Sequence, residues 1–274
     1  MALQTPPLEF KACAGFANRL RALISAMCTA EDIVPLKSDG SRPTSLIVSW
    51  TPETNIHTAP FELLFDKSSL PSWVVFEDSN VQPHSGWDKT VQVLTQDEWD
   101  FIFLQAGQRR PIRIRSHGHF HRSDPDRWLQ HLRTLKPALM IQCISDDIFA
   151  TVPSGINVVG IHIRRGDNKK SITESPSELF WNAMSKYDST TLFYLATDSI
   201  EERIEIAMRF QDRILLGSDT IIGRNDPFGC REAVIDFYCL SRCSEILGSY
   251  YSSFSEMAAM YGDVPLTILR LQPS

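Results

Sequence analysis

No run of about 18 apolar residues occurs in this 274-residue sequence, so no segment is expected to cross a membrane as a helix. The opening stretch, MALQTPPLEF, lacks a basic segment followed by an apolar one, which leads to the expectation of a cytoplasmic chain. Positive charge is not in excess. Lys and Arg total 27 against 33 Asp and Glu, a net charge of −6, which argues against a broad nucleic-acid-binding surface. Any anion site must then be built locally, from a few placed arginines and backbone N–H groups. Neither G-x-G-x-x-G nor a glycine loop ending in G-K-[ST] is present, so the dinucleotide fingerprint and the P-loop are both absent, and a generic dehydrogenase is disfavoured. The cysteines (Cys13, Cys28, Cys143, Cys230, Cys239, Cys243) are scattered and are expected to be reduced and mostly buried. There is no internal repeat and no low-complexity tract.

What is present is ordinary globular composition, 43% hydrophobic and 22% charged, enough to build a core. Apolar segments of strand length alternate with helical patterns, which predicts an α/β architecture with mainly parallel sheet. Residues 15–30 read as a helix, with Leu20, Leu23, Ile24 and Met27 recurring at three and four. SLIVSW (45–50), WVVFE (73–77), VQVL (91–94), FIFLQ (101–105) and IRIRS (112–116) read as strands. Residues 125–135 read as a helix capped by Asp124 with Pro125 at its first position. The pattern restarts after Lys136-Pro137. From there it runs as helix 138–150, strand NVVGIHI (157–163), helix 176–187, strand TLFYLA (191–196), helix 199–210, strand RILL (213–216), helix 230–244, strand EILGS (245–249) and helix 253–261. The expected domains are therefore 1–136 and 137–274, the second the more regular.

In an open α/β sheet, ligands bind beyond the carboxyl ends of the strands. Four segments fall at such ends or at a helix start. HIRRGD ends the strand 157–163 and brings Arg164 and Arg165 to a turn at Gly166; a guanidinium grips phosphate oxygens through paired N–H bonds and stays charged. The alternative for such a pair is bridging to acidic neighbours such as Asp167. ATDS ends the strand 191–196, with Asp198 or Ser199 suited either to capping the next helix or to contacting a ligand. LGSYYSSFSEMAA carries Ser249, Ser252, Ser253 and Ser255 into a helix start, an anion cradle in which Ser253 and Glu256 also spell a capping box. AGFANRLRAL opens a helix at Gly15 and places Asn18, Arg19 and Arg21 in its first two turns.

Two further patterns suggest metals. His117, His119 and His121 would share one side of an extended chain, which admits a metal site, an acceptor-side role or plain packing. Asp124-Pro125-Asp126 spells D-x-D, but a proline-led helix start favours capping.

Taken together, the segments resemble the NodZ/α-1,6-fucosyltransferase-like superfamily, which includes protein O-fucosyltransferases. GFANRLRAL resembles its N-terminal G-x-G-N-R-L-R-A-L stretch, with Ala17 in place of the second glycine. VVGIHIRRGD resembles its H-x-R-R-x-D motif. LKP (135–137), LATDS and AVIDFYCLSRCSEILGSYYSSFSEMAA follow in the family's order. The similarity covers roughly 1–30 and 135–261, and residues 31–134 carry little of it.

The resemblance implies a GT-B-like α/β fold, two Rossmann-like domains facing across a cleft, with an N-terminal acceptor-side domain and a C-terminal nucleotide-sugar-binding domain. It implies an inverting, metal-independent transfer of fucose from GDP-fucose to a glycan hydroxyl, with no cofactor beyond the donor itself. By resemblance His162 touches the nucleotide, Arg164 holds the β-phosphate, Asp236 contacts guanine, Ser252 and Ser253 contact phosphate, and Gly15, Asn18 and Arg19 lie near the diphosphate. Arg165 and Asp198 join this nucleotide-sugar set. Asp167 and Glu174 are alternative general bases, because the family's lysine–acid spacing is displaced here around Lys169 and Lys170. Alternatives of the same fold are a transferase using another GDP- or UDP-sugar, or an inactive nucleotide-sugar-binding protein.

Overall fold

The computed structural model describes residues 6–53, 57–77, 96–107, 112–121, 124–217 and 226–272. Contacts within the chain gather it into two compact units, Met1–Lys136 and Pro137–Ser274.

The first unit runs β1 (Leu8–Ala12), α1 (Phe16–Ile33), β2 (Leu46–Ser49), α2 (Phe61–Leu64), β3 (Val74–Phe76), α3 (Gln96–Gly107), β4 (Ile112–Ser116) and α4 (Pro125–Thr134). Its strands form a parallel sheet of order β3-β2-β1-β4, with Leu8 level with both Leu46 and Ile112. LEFKA, absent from the strands expected above, forms β1. Its period of two is plain, since Leu8, Phe10 and Ala12 are buried and Glu9 and Lys11 are not fully so. The expected cap of α4 is present, Asp124 accepting from Arg127 N–H at 3.0 Å with Pro125 next in line. The D-x-D spelling is thus a helix start.

One expected strand is a helix. FIFLQ lies inside α3. A strand would put Ile102 and Leu104 on one face, yet Ile102 is buried and Leu104 is exposed, while Ile102 and Ala106, one helical turn apart, are both buried. VQVL lies outside the described residues.

The second unit runs α5 (Leu139–Ala150), β5 (Val158–Ile163), α6 (Lys169–Glu174), α7 (Ser177–Met184), β6 (Leu192–Thr197), α8 (Ile200–Phe210), β7 (Ile214–Leu216), α9 (Pro227–Leu240), β8 (Glu245–Ser249), α10 (Ser253–Gly262) and β9 (Leu266–Leu269). These strands too are all parallel, in the order β7-β6-β5-β8-β9. Strand β5 is central and buried at all six positions, as its near-continuous apolar sequence requires. Three elements differ from expectation. Helix α9 begins at Pro227, capped by Asp226, and stops at Leu240, so Cys243 lies in the turn beyond it. The short helix α6 and the edge strand β9 were not among the expected elements.

The core on one face of this sheet joins Val159, Ile161 and Ile163 of β5 to Phe193 and Leu195 of β6, Phe180 and Met184 of α7, and Ile206 of α8. Phe193 has no exposed surface and meets the rings of Tyr187 and Phe210 edge-on at 5.8 and 5.7 Å. Phe193→Ala should therefore lower the unfolding free energy by about 3–5 kcal/mol, read from the urea midpoint at unchanged slope.

Candidate functional site

The central strand decides where a ligand can sit in the second unit. From β5 the chain proceeds to β6 and β7 on one side, then crosses to β8 and β9 on the other. Strands β5 and β8 therefore flank a topological switch point, where the loops leaving neighbouring strands diverge and open a crevice. His162 pairs in register with Ala196 of β6 and Gly248 of β8, so the three strands end nearly level. Beyond those ends lie Arg164–Asp167, Asp198 and Tyr250–Ser253.

Hydrogen bonds tie the first and last of these segments together. Arg164 N–H donates to Ser249 Oγ at 3.0 Å, and that hydroxyl donates to the His162 carbonyl at 3.3 Å. Asn168 Nδ2 donates to the Tyr251 carbonyl at 2.9 Å while its Oδ1 caps α6 by accepting from Ser171 N–H. Ser175, buried, accepts from Tyr250 N–H at 2.8 Å and donates to the Leu269 carbonyl. Gly248 lets α10 start close above the sheet, since a Cβ there would lie 2.6 Å from Ser255 Oγ.

The two arginines of HIRRGD part company. Arg164 stays at the crevice, its Nη1 bonded to Asp198 and its Nη2 to Asp167. Arg165 turns into the protein. Its Nε donates to Glu202 at 2.5 Å, its Nη1 to the Arg164 carbonyl at 3.0 Å and its Nη2 to Ser177 Oγ at 3.0 Å. Ser177 in turn bonds to Glu202, so Arg165 joins the starts of α7 and α8. Asp198 links the pair, because its Oδ1 also accepts from Arg165 N–H at 2.7 Å. Ser199, not Asp198, caps α8 by accepting from Glu202 N–H. Gly166 is required by close approach, for a Cβ would lie 2.5 Å from Asp198 Oδ2.

His162 is buried beneath this turn, its ring stacked on Phe254 at 4.8 Å. Burial first, and the Arg164 charge second, push its pKa down to about 3, so the imidazole is neutral. Its Nδ1 has no protein hydrogen-bond partner. Ser252 is the N-cap residue of α10 but makes no side-chain cap, and Ser253 is the first helical residue. The expected Ser253–Glu256 capping box is thus out of register, since Ser255 occupies the third helical position. The hydroxyl-rich start of α10 stands beside the Arg164 turn, the arrangement that favours an anion.

Asp236, in α9, accepts from Tyr194 Oη at 2.7 Å and packs against Gly217 at the end of β7. Burial drives its pKa up to about 7 although the tyrosine hydrogen bond works the other way. Glu174 ends α6 and its carbonyl receives Leu271 N–H at 2.7 Å. It stands at the opposite end of that helix from Asp167, which is itself 61% exposed in its side chain and paired with Arg164.

In the first unit, Gly15 is the N-cap residue of α1 and follows Ala14, which adopts a left-handed φ of 68°. Asn18 lies in the first turn, half-buried. Arg19 is fully buried and consumed by the fold. Its Nε donates to the Ala14 carbonyl at 2.7 Å, its Nη1 to the Thr51 carbonyl at 2.9 Å, and its Nη2 pairs with Glu53 at 3.4 Å over the Trp50 ring. The histidines do not share one side, because the strand ends at Ser116 and the chain bends. His121 is buried against Asp32 at 2.8 Å, the His119 ring stacks on Trp128, and the His117 carbonyl accepts from Arg21. Among the described residues no group of His, Cys, Asp and Glu is arranged to hold a metal ion, and no helix is long and apolar enough to cross a membrane. The cysteines are free, five of them buried and Cys143 exposed.

Asn168, Ser175, Glu202 and Tyr194 were missed by sequence reasoning. Only Asn168 left a signal, an N-cap residue type just before a helix.

No protein-family model and no curated protein matches this sequence. Solved structures do. Fucosyltransferase NodZ from Bradyrhizobium is similar over 96% of this chain and 93% of its own, with a TM-score of 0.62 and 16% identity. Arabidopsis thaliana FUT1, as a mutant in complex with GDP, is similar over 100% of this chain and 72% of its own, with a TM-score of 0.62 and 13% identity. POFUT1 in complex with GDP-fucose is similar over 97% of this chain and 98% of its own, with a TM-score of 0.57 and 11% identity. The chain has the α/β fold of these fucosyltransferases. The structural likeness covers nearly the whole chain, whereas the sequence motifs are confined to roughly 1–30 and 135–261.

Two outcomes follow. Arg165→Ala leaves the buried Glu202 carboxylate unpaired and should lower the unfolding free energy by about 3–5 kcal/mol, whereas Arg164→Ala, at the crevice, should change it by about 1 kcal/mol or less; chemical denaturation of both variants separates the roles. The raised pKa of Asp236 means that the folded state binds a proton more tightly than the unfolded one. Its contribution to stability is therefore fully present below about 4 and lost as pH rises through about 7. Relative to Asp236→Asn, the parent protein should lose stability between pH 4 and pH 8, measured as the difference in urea midpoints.

Proposed function

We propose that this chain is a glycosyltransferase that moves fucose from GDP-fucose to a hydroxyl of a glycan acceptor, with inversion and without a metal. The observation that carries this reading is the convergence at the switch point. A guanidinium on the loop after β5 and the hydroxyl-bearing start of α10 after β8 face one crevice and are joined through Ser249. The likeness to structures solved with GDP and GDP-fucose supports the choice of nucleotide sugar. The second unit then takes the donor and the first takes the acceptor.

In this reading Arg164, Ser252 and Ser253 hold the diphosphate, neutral His162 touches the nucleotide, and Asp236 contacts guanine. Arg165 acts by anchoring the turn, and Arg19 by fixing the loop that presents Gly15 and Asn18. Asp198 is gripped by both arginines and keeps the Arg164 fork oriented. Asp167 is the exposed partner, and an arriving phosphate takes its place at Nη2. The acceptor oxygen attacks the anomeric carbon from the face opposite GDP. The bond to the β-phosphate oxygen breaks, its electron pair leaves with GDP, and the acceptor proton passes to a carboxylate, Asp167 or Glu174. Charge gathers on the β-phosphate in the transition state, where Arg164 binds it more strongly than in the ground state.

Arg164→Ala should reduce turnover by about 10²–10³ while the protein stays folded. Arg164→Lys should fail nearly as badly, because an ammonium lacks the planar fork. Titration calorimetry should show GDP binding in preference to UDP and ADP. Wild-type turnover by Arg164→Ala, or no preference for GDP, would overturn the proposal.

A further inference from the structure

Residues 250 and 251 are adjacent tyrosines with opposite circumstances. Tyr250 is built into the fold. Its N–H is held by Ser175, and its ring is covered by the Arg270 guanidinium at 4.5 Å. Tyr251 is 64% exposed, yet its backbone sits in the left-handed region at φ 57°, where a bulky side chain is strained. The strain is held in place from the other side of the crevice, by Asn168 Nδ2 bonding to the Tyr251 carbonyl. One face of the Tyr251 ring is covered by the Lys170 ammonium, 4.3 Å from the centroid. The ring thus lies against the first turn of α6, which follows the loop carrying Arg164, and its own backbone leads directly into the serines that open α10.

An exposed aromatic face, held by a strained backbone beside a phosphate site, serves no packing purpose. Whatever is attached to the phosphate must lie within a few ångströms of it. We propose that the Tyr251 ring is the platform on which the sugar of the donor stacks, with a 6-deoxyhexose favoured by its apolar face. This rests on the donor reading given above. The Lys170 ammonium pins the ring and enriches the platform through its cation–π contact. Tyr251 is then a specificity-determining residue for the sugar rather than for the nucleotide.

The test compares calorimetric titrations with GDP and with GDP-fucose. Tyr251→Gly removes the ring and suits the left-handed backbone, so folding is preserved. The wild type should bind GDP-fucose more tightly than GDP. Tyr251→Gly should keep GDP affinity within about twofold and lose about 3–10-fold in affinity for GDP-fucose. Tyr251→Phe and Tyr251→Trp, which keep the ring face, should behave as the wild type. Equal weakening of both ligands, unchanged affinity for both, or a wild type without preference for GDP-fucose would each overturn the platform while leaving the donor reading intact. A wild type that binds neither ligand overturns the donor reading and the platform with it.

Discussion

The carboxylate of Asp198 is the contact on which the candidate site depends. One oxygen accepts from the backbone of Arg165 and the other from the side chain of Arg164, so a single group at the end of β6 sets both the path of the neighbouring turn and the direction of its guanidinium. It can do so only because Ser199 takes over the capping of α8 and because Gly166 has no Cβ to block the approach. The turn is then locked from its other flank by Ser249. Three strand ends are thereby tied into one hydrogen-bonded rim, and such prior arrangement is what an electrostatic site needs if it is to act without reorganising.

The division of labour between adjacent arginines follows from this rim. Arg164 and Arg165 are chemically identical, and what separates them is the company each keeps. Glu202 and Ser177 draw Arg165 inward, and each of its three nitrogens donates within the protein. Arg164 keeps one firm partner, Asp198, and one largely exposed partner, Asp167, which holds it from one side only. The same logic applies to Arg19, whose burial against two carbonyls and Glu53 makes it a fastener of the loops after β1 and β2.

Much of the fold was legible because its signals are local. VVGIHI is apolar throughout and is the central strand. Asp124-Pro125 and Ser199 cap where their types and spacing say they should. Local signals also misled where two periods fit the same letters, as in FIFLQ, whose helix is decided by which residues meet the sheet. The rim was legible in outline, since HIRRGD and SYYSSFS mark strand exits. The fate of each arginine was not, because it is fixed by Glu202, Ser177 and Glu53, residues remote in sequence whose approach no local pattern encodes. The histidines of the H-x-H-x-H run failed for the same reason, as an alternation argument holds only while the chain stays extended, and here it bends after Ser116.

The two sheets share one plan. The order β3-β2-β1-β4 in the first unit recurs as β7-β6-β5-β8 in the second, without any repeat in sequence, and each is assembled entirely from an unbroken stretch of chain. Among the described residues, no hydrogen-bond ladder of the leading half draws a strand from the trailing half. Strand β1 must wait for β4, yet neither has to wait for the trailing half, so each half can pair its own strands as synthesis proceeds.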